Sequence, residues 1–537
     1  MVILVSMQFR LINIPKMNKI LTLLIGLCLT FSFTNRVNAQ TWEVYDTNFN
    51  LKSRLLYDQM SLLSETVKIG KRDSVLYLLS TDLEPAVSLE GNEIYQYRQP
   101  WILVKGQNGI GAFHEYGQKV MPLEYDDILT YFTYLLARKG NEYWVYQRGK
   151  NKILPLGKFD EVKITFNGIL LAKRGDEYVL PLSPNPEKIY QLLSDNDGEY
   201  ILAKEPSGYG IINLEGDYVM EPIIDTLLHT EGNFFYGYDE NQYLLIEGKD
   251  IDAQIRYNSF HKITFENEIL LEYIHGKLRR VMKEDGILLD AVGLVEVSRI
   301  GKDLYNVRFR DNKLGLLGKS GWLVKPMLDI RSITNGSEGL YPVQKDQLVG
   351  FADREGNWII DPKFTEVQLF SENIGRYRIT QDWGLIGNKG EMIGTASWSE
   401  IRPFLAGVAI AKQQDKFFLL NQAGTVITEM SYDDISRTED GYFLVEKLGK
   451  SGLLDKTGKE LIPPDFDFIR REKKDFLIVR KDSLTGVINE SGEALLPLAY
   501  QDVIVDWANG EILTKNLYNP ILIQEVEEPS KKRKNRD

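Results

Sequence analysis

Acidic residues recur in one local context along this chain: an aromatic residue, any residue, an acid and then an aliphatic residue. The acids of these clusters are Asp127, Glu161, Glu366, Glu400, Asp434 and Asp502. In a repeating fold such acids line up along one edge, where aligned carboxylates bind a cation or a basic partner. We favour a structural interpretation, in which Asp126, Asp160 and Asp433 form Asx turns, the following acid is solvated and the aromatic residue packs under its neighbour.

Metal-ligating residues are scattered. The segment Asp195-Asn-Asp197-Gly198-Glu199 resembles a calcium loop, but Pro206 stands where the bidentate glutamate belongs. We interpret this segment as a polar turn. The four histidines, His114, His229, His261 and His275, show no i to i+4 spacing on a predicted helix, and the one cysteine is Cys28. We therefore predict no metal site and no cofactor.

Enzyme motifs are absent from the sequence: there is no Gly-x-Ser-x-Gly elbow, no phosphate-binding Gly-x-x-x-x-Gly-Lys loop and no Gly-x-Gly-x-x-Gly. The sequence leaves open a pair of distant carboxylates, as glycosidases use, among its 76 acidic residues. We predict no catalytic residues, and the ligand-binding residues stay unknown.

Aromatic residues are abundant, with 28 Tyr, 23 Phe and 8 Trp, and such rings stack on sugar faces as well as in protein cores. Trp144, Trp322 and Trp358 recur in the same pattern and are expected to pack between repeats. Trp42 and Trp507 lie outside the pattern and are the better candidates for an exposed role.

A repeat of about 34 residues organises the chain. Each unit has an anchor residue, a turn glycine six positions later and often a proline after five or six more residues. The anchors are Gly111, Tyr143, Tyr178, Gly210, Tyr243, Arg280, Gly315, Gly350, Gly384, Phe418, Gly452 and Gly486, with a weaker one at Leu76. Their separations stay between 32 and 37 residues, so we predict about thirteen tandem units.

Each unit is predicted to be a three-stranded meander. One strand opens at a turn former eleven residues before the anchor, the second runs through the anchor, and the third ends at the proline, which has no N–H to donate. Only Leu51 to Val67 suggests a helical stripe. The expected fold is all-β, with β-propeller-like blades, and the sequence leaves open two seven-bladed propellers or an open superhelical array.

The clearest unit, Gly452-Leu-Leu-Asp-Lys-Thr-Gly458-Lys-Glu-Leu-Ile-Pro463, and the dipeptide Trp383-Gly384 resemble the bacterial WG or KWG repeat. The resemblance is good from about residue 311 to 505 and degenerate from 75 to 310, where most units lack the tryptophan. It implies a β-rich fold and supplies no active site.

The first 39 residues have the order of a secretory signal peptide: Lys19, an apolar run from Ile20 to Phe33, and a small-residue end that predicts cleavage after Ala39. Met1 and Met17 are alternative starts. Loss of this leader changes the formal net charge from -12 to -16. So acidic a protein is not expected to bind nucleic acid. We expect no stable membrane insertion after cleavage and a periplasmic or secreted location.

The predicted organisation is therefore a signal peptide (1–39), an N-terminal cap (40–72), degenerate WG-like repeats (73–276), clearer WG-like repeats (277–518), and a closing strand from Asn519 with a basic tail (519–537). The functional hypothesis is a non-catalytic scaffold of the cell envelope that binds an unknown protein or glycan. The alternative is a carbohydrate-active enzyme or its glycan-binding subunit.

Overall fold

The computed structural model of the chain describes residues 41–195, 197–249, 252–284, 286–473 and 476–517. These residues form 53 β-strands and no α-helix, which confirms the predicted all-β class. Leu51 to Val67, the one helical candidate, contributes strands instead. The predicted signal peptide, the strand expected from Asn519 and the basic tail lie outside the described residues.

The strands form fourteen antiparallel blades in chain order. The chain enters through β1 (Thr41–Asp46) and β2 (Leu51–Leu56), which belong to the last blade. Blades 1 to 7 follow. Blade 1 has β3 (Gln59–Leu62), β4 (Lys68–Arg72), β5 (Val75–Leu79) and β6 (Pro85–Leu89); blade 2 has β7 (Glu93–Arg98), β8 (Trp101–Lys105), β9 (Ile110–His114) and β10 (Lys119–Tyr125); blade 3 has β11 (Asp127–Thr130), β12 (Tyr134–Lys139), β13 (Glu142–Gln147) and β14 (Lys152–Lys158); blade 4 has β15 (Glu161–Ile164), β16 (Leu170–Arg174) and β17 (Glu177–Val179). Blade 5 has β18 (Leu192–Leu193), β19 (Tyr200–Glu205), β20 (Gly208–Asn213) and β21 (Tyr218–Ile224); blade 6 has β22 (Thr226–His229), β23 (Phe234–Asp239), β24 (Gln242–Glu247) and β25 (Gln254–Ser259); blade 7 has β26 (Lys262–Glu266), β27 (Ile269–Ile274), β28 (Lys277–Lys283) and β29 (Gly286–Asp290).

Blades 8 to 13 continue the series. Blade 8 has β30 (Leu294–Gly301), β31 (Leu304–Phe309), β32 (Lys313–Gly318) and β33 (Gly321–Leu328); blade 9 has β34 (Ser332–Ile333), β35 (Tyr341–Lys345), β36 (Leu348–Ala352) and β37 (Trp358–Phe364); blade 10 has β38 (Glu366–Ser371), β39 (Ile374–Arg378), β40 (Trp383–Gly387) and β41 (Met392–Trp398). Blade 11 has β42 (Glu400–Ile401), β43 (Val408–Gln413) and β44 (Lys416–Asn421); blade 12 has β45 (Asp434–Arg437), β46 (Phe443–Lys447), β47 (Lys450–Leu454) and β48 (Glu460–Phe466); blade 13 has β49 (Phe468–Arg471), β50 (Phe476–Lys481), β51 (Leu484–Asn489) and the first half of β52 (Ala494–Asp506). Blade 14 consists of the second half of β52, then β53 (Glu511–Asn516), β1 and β2.

Most blades have four strands, one more than the meander predicted from the sequence. The additional strand is the first of each blade. In β18, β34 and β42 it is only two residues long, too short to show an alternating pattern. Proline does not end the ladder as expected, because Pro463 and Pro155 lie inside the fourth strands β48 and β14. A fourth strand is an edge strand, where a missing N–H costs no ladder bond.

The two ends of the described chain share blade 14. Strand β1 pairs antiparallel with β53, from Trp42 opposite Lys515 to Asp46 opposite Glu511. Residues 40–72 are therefore not a cap: they supply two strands of the closing blade and the first strands of blade 1. The strands that close the array are β1 and β53, and β53 precedes the closing strand expected from Asn519.

Fourteen hydrophobic clusters hold the blades together, and each cluster joins two blades that are consecutive in the cycle. One contains Trp42 and Leu513 of blade 14 with Met60 and Leu79 of blade 1. Across the described ranges, no cluster joins blades 1 and 7 or blades 8 and 14, as two separate seven-bladed rings would require. The blades thus form one closed cycle in place of two propellers or an open array.

The anchor glycines allow the fourth strand to approach the third. The pairing of these strands shifts register across every one of them: Gly111, Gly210, Gly315, Gly350, Gly384, Gly452 and Gly486. A Cβ on Gly452 would lie 2.8 Å from the carbonyl oxygen of Ile462 and 2.8 Å from the nitrogen of Pro464. Only glycine fits against a bulge this close.

The turn glycines, six residues after the anchors, lie between the third and fourth strands. Gly321, Gly356 and Gly458 share positive φ angles of 108°, 86° and 88°, a conformation that glycine adopts without strain. Gly356 and Gly458 follow Asx turns of Asp353 and Asp455, whereas Gly321 belongs to a tighter hairpin. The predicted equivalence of these hairpins is therefore confirmed, with one shorter variant.

Candidate functional site

The repeated acids occupy one edge of each blade. Asp127, Glu161, Glu366, Glu400 and Asp434 are each the first residue of a first strand, and Asp502 lies in the part of β52 that begins blade 14. The aromatic residue of each cluster is buried, as expected: Tyr125, Phe159, Phe364, Trp398, Tyr432 and Tyr500. The sequence therefore located an edge that is repeated around the cycle.

The preceding acids do not form the expected Asx turns. The Oδ2 atoms of Asp126, Asp160 and Asp433 accept the backbone N–H groups of Gly140, Gly175 and Leu448, at 2.7, 2.7 and 2.6 Å. These donors lie in the turn between the second and third strands of the same blade. A hydrogen bond from Lys416 and the Leu448 N–H hold the pKa of Asp433 below its ordinary value. These carboxylates thus bridge parts of a blade that are 14 or 15 residues apart.

Grooves lie between the first strands of neighbouring blades. The groove between blades 9 and 10 has a volume of about 610 Å³, and its lining includes Ser332, Thr334, Asn335, Gln344, Glu366 and Gln368. The groove between blades 12 and 13 has a volume of about 470 Å³ and includes Phe468, Arg470 and Glu472. Both volumes are within the range of small-molecule sites. Apolar side chains also line both grooves, including Val349, Val367 and Leu369 in the first and Leu444 and Ile469 in the second.

Two acids of the blade 12–13 groove, Asp440 and Glu472, are paired with arginines. Arg471 pairs with Asp440 at 2.6 Å, and Arg470 pairs with Glu472 at 2.7 Å. Partial burial opposes ionisation of Asp440, but hydrogen bonds from Thr438 and Arg471 hold its pKa below the ordinary value. A general acid needs a raised pKa instead. These carboxylates are therefore arranged as structural partners of arginine.

Two neighbouring carboxyl groups, those of Glu231 and Glu284, both lie near Lys283 and have opposite pKa shifts. Burial and a hydrogen bond with Glu231 raise the pKa of Glu284, while the same hydrogen bond lowers the pKa of Glu231. Lys283 lies 3.2 Å from Glu231 and 2.6 Å from Asp303. The adjoining cavity is only about 120 Å³, below the usual range for a ligand site. Sequence reasoning missed this pair because its members are 53 residues apart.

A second buried charge lies in blade 7. The carboxylate of Glu272 is fully buried and accepts hydrogen bonds from Ser259 at 2.6 Å, Tyr257 at 3.0 Å and Arg280 at 2.9 Å. Arg280 also pairs with Asp290 at 2.9 Å. Arg280 occupies the anchor position of this unit, so its departure from glycine was the available sequence signal. Every partner is internal, which makes this network structural.

Of the metal-type residues, the structure brings His229 and Asp197 together, with Nε2 3.6 Å from Oδ1, but it assembles no larger cluster among the described residues. Asp195 pairs with Lys163 at 2.9 Å, and Asp197 accepts the N–H of Gly232 at 3.1 Å. The rings of His261 and His275 do meet, with centroids 5.9 Å apart. Within the described ranges, no group of three His, Cys, Asp or Glu residues could hold a metal ion.

The exposed aromatic residues are not the predicted ones. Trp42 is 2% exposed and donates to the carbonyl of Tyr57, while Trp507 donates to Glu472 and packs on Phe476. Trp144, Trp322 and Trp358 pack against clusters between blades, as predicted. Exposed rings belong to Tyr116, Phe132, Phe166 and Phe260. Phe132 and Phe166 are 34 residues apart, which was the signal that could have identified them.

Comparison with solved structures found only weak overall similarity. The extracellular domain of BT4673 from B. thetaiotaomicron is 11% identical over 83% of this chain and 78% of that chain, with a TM-score of 0.19. PorZ, a surface component of the type-IX secretion system of Porphyromonas gingivalis, is 11% identical over 86% of this chain and 85% of that chain, with a TM-score of 0.21. TM-scores this low support no conclusion about this chain.

The remaining comparisons concern the sequence. No curated protein matched the chain. In the part of the chain that the structure describes, we find no helix with the length and apolar character of a membrane span. The WG containing repeat model matches residues 350–381, 383–417, 417–450 and 452–484, which extend from the third strand of blade 9 to the start of the third strand of blade 13. Residues 350–484 are therefore WG-containing repeats, as the Trp383-Gly384 dipeptide and the Gly452 unit predicted.

Proposed function

We propose that this chain is a non-catalytic scaffold that binds a protein or a glycan outside the cytoplasm. The observation that carries this proposal is the closed cycle of fourteen blades, which repeats the same edge and the same turns on an extended surface. The buried faces of the blades are filled by packing, so binding falls to those edges and turns. The grooves between first strands offer polar contacts along the same edge.

The location in the proposal rests on the leader pattern of residues 1–39, with its apolar run and cleavage after Ala39. A mature formal charge of -16 supports partners other than nucleic acid or an anionic membrane, since both would be repelled. We place the protein in the periplasm or outside the cell.

The proposal is tested by a glycan array and by a pull-down from envelope extract, both with residues 40–537. We expect saturable binding to a defined glycan or to a single envelope protein. If the protein retains neither a glycan nor an envelope protein, the scaffold proposal is wrong.

The runner-up is a carbohydrate-active enzyme, favoured by the proton-sharing pair of Glu231 and Glu284. This alternative predicts saccharide turnover that Glu284→Gln abolishes while binding persists. Its matched control is Glu338→Gln, at an exposed carboxylate in a turn of blade 9. If the purified protein turns over a saccharide, the enzyme proposal replaces the scaffold proposal.

A further inference from the structure

One face of the cycle carries the turns between first and second strands, together with those between third and fourth strands; we call it the first-turn face. Acids dominate its first turns, as at Glu231, Glu268, Glu338, Glu372 and Asp440. Several link one blade to the next: Glu338 accepts the N–H of Asn373 at 2.9 Å, and Glu372 accepts the N–H of Gly407 at 2.8 Å. These acids therefore stabilise the seams between blades.

Blades 3 and 4 replace this acid with phenylalanine. Phe132 is 60% exposed and Phe166 is 75% exposed, at equivalent first turns. Tyr116, 77% exposed, lies on the same face of blade 2 in the turn between β9 and β10. The seam between blades 3 and 4 does not need the two phenyl rings, because the ring of Tyr131 packs against Gly168 there. Exposed rings without a packing role at adjacent positions mark an interaction surface.

Cations lie among these rings. The guanidinium of Arg148 lies 5.0 Å from the centre of the Phe132 ring, and Lys150 is exposed in the same turn, between β13 and β14. Many other cations of the described chain have a carboxylate within 4.0 Å, as at Lys105, Lys119, Lys139 and Lys158. Among the residues with described positions, neither Arg148 nor Lys150 has a carboxylate within 4.0 Å. The patch therefore combines rings with unpaired positive charge on a strongly acidic protein.

The patch is continuous across three blades. His114 stacks on Tyr116 at 4.7 Å and meets Trp101 at 5.5 Å, and the indole N–H of Trp101 donates to the carbonyl of Tyr131 at 2.7 Å. Gln118 of blade 2 donates to Asn151 of blade 3 at 3.4 Å. Packed sheets lie ~10 Å apart, which is comparable to the length of a disaccharide unit in an extended polysaccharide. Rings on successive blades thus match every second sugar.

We propose that this surface, comprising Tyr116, Phe132, Arg148, Lys150 and Phe166, binds an anionic polysaccharide. The phenyl rings stack on sugar faces, and the two cations pair with uronate carboxylates. This inference rests on the scaffold function proposed above and names its ligand class. The same carboxylates are repelled by the acidic first turns elsewhere, which confines the ligand to blades 2–4.

The test measures binding of oligogalacturonate, with neutral galactan of equal length as the comparison ligand. We expect the full mature chain to bind oligogalacturonate and to lose affinity with added salt, because the cations are solvent-exposed. The double variant Phe132→Ala/Phe166→Ala should lose about tenfold or more in affinity. Arg148→Gln/Lys150→Gln should lose about as much, together with most of the salt dependence.

The controls are Phe260→Ala, an equally exposed ring in the link between blades 6 and 7, and Lys345→Gln, an exposed lysine at the end of the second strand of blade 9. Neither should change affinity. Absence of oligogalacturonate binding, or equal binding by the patch variants, would overturn the inference. If the patch variants lose an envelope protein instead, the surface is a protein interface and the ligand class is wrong. If the array or the pull-down identifies a ligand that the patch variants still bind, the scaffold proposal stands but this binding site is wrong.

Discussion

Blade 12 and blade 7 satisfy the same anchor position in opposite ways. In blade 12 the anchor is Gly452, its partner on the second strand is Val445, and the fourth strand bulges over the glycine. In blade 7 the anchor is Arg280, its partner is the buried Glu272, and Arg280 pairs directly with Asp290 of the fourth strand. A glycine at the anchor lets the backbone of the fourth strand approach the third strand. A large side chain at the anchor needs hydrogen-bonding or ionic partners of its own.

The contrast extends to the other blades. Residues paired with the anchor glycines are apolar or aromatic: Val104, Ala203, Val307, Val343, Tyr377, Val445 and Val479. Residues paired with Leu76, Tyr143, Tyr178, Tyr243 and Arg280 are Lys71, Arg138, Lys173, Tyr238 and Glu272. The remaining anchor, Phe418, faces Ala411. A charged facing residue therefore accompanies four of the six anchors that are not glycine: Leu76, Tyr143, Tyr178 and Arg280.

The largest expected effect comes from giving blade 7 the glycine of blade 12. Arg280→Gly leaves Glu272 buried without its cation and should destabilise the protein by about 3–5 kcal/mol. Glu272→Val/Arg280→Gly recreates the pair found in blade 12 and should recover much of this loss. Thermal and urea unfolding measure both. Lys313→Ala, in an exposed ion pair, is the control and should cost less than about 1 kcal/mol. A double variant no more stable than the single one would contradict the coupling.

A buried charge at the closing seam gives the next effect. Lys68 and Asp506 are 4% and 3% exposed and lie 2.5 Å apart, between blades 1 and 14. Asp506→Asn leaves Lys68 without a counter-charge and should cost about 3 kcal/mol at neutral pH.

The same pair predicts a pH dependence. Burial opposes ionisation of Asp506, but hydrogen bonds from Lys68 and Asn509 lower its pKa in the folded state. Its stabilisation is therefore present above the ordinary aspartate pKa and lost as the pH falls through the lower folded value. Unfolding at a series of pH values should show the gap between wild type and Asp506→Asn narrowing in acid. A gap that widens in acid would show that Asp506 does not stabilise the seam in its charged form.

A substitution at the glycine itself tests blade 12. Gly452→Ala places a Cβ 2.8 Å from two backbone atoms and should cost about 2–3 kcal/mol by forcing the bulge apart. Gly149→Ala is the matched control, because no atom lies within 4 Å of the added Cβ. Equal melting temperatures for the two variants would remove the close-approach explanation for the anchor.

The smallest effect concerns the turns that link blades. Glu372→Ala removes the acceptor for the Gly407 N–H and should cost about 1 kcal/mol. Phe166→Ala, at the equivalent turn of blade 4, should leave stability unchanged because its ring is exposed. Hydrogen exchange should become faster at Gly407 in the first variant. A destabilised Phe166→Ala would show that this ring supports the seam.

Particular residues show how far sequence reasoning reached. The glycines at 350, 452 and 486 made the period visible because the backbone of the fourth strand leaves no room for a Cβ there, and Gly384 did so because the ring of Tyr377 packs against it. The edge formed by Asp127, Glu366 and Asp434 followed from the same period. The pair of Glu231 and Glu284 and the network around Glu272 did not follow, because side chains from different blades create them.

The sequence by itself determined the all-β class, the step of about 34 residues and the hairpin glycines, since these depend on local alternation and on backbone angles within one unit. Only the tertiary structure decided the closure of the cycle, the fourteenth blade and the identity of the exposed rings. Closure depends on the small rotation between successive blades, summed over the whole array, until β1 meets β53. The sequence of a single unit does not determine the total rotation, because each unit packs only against its neighbours.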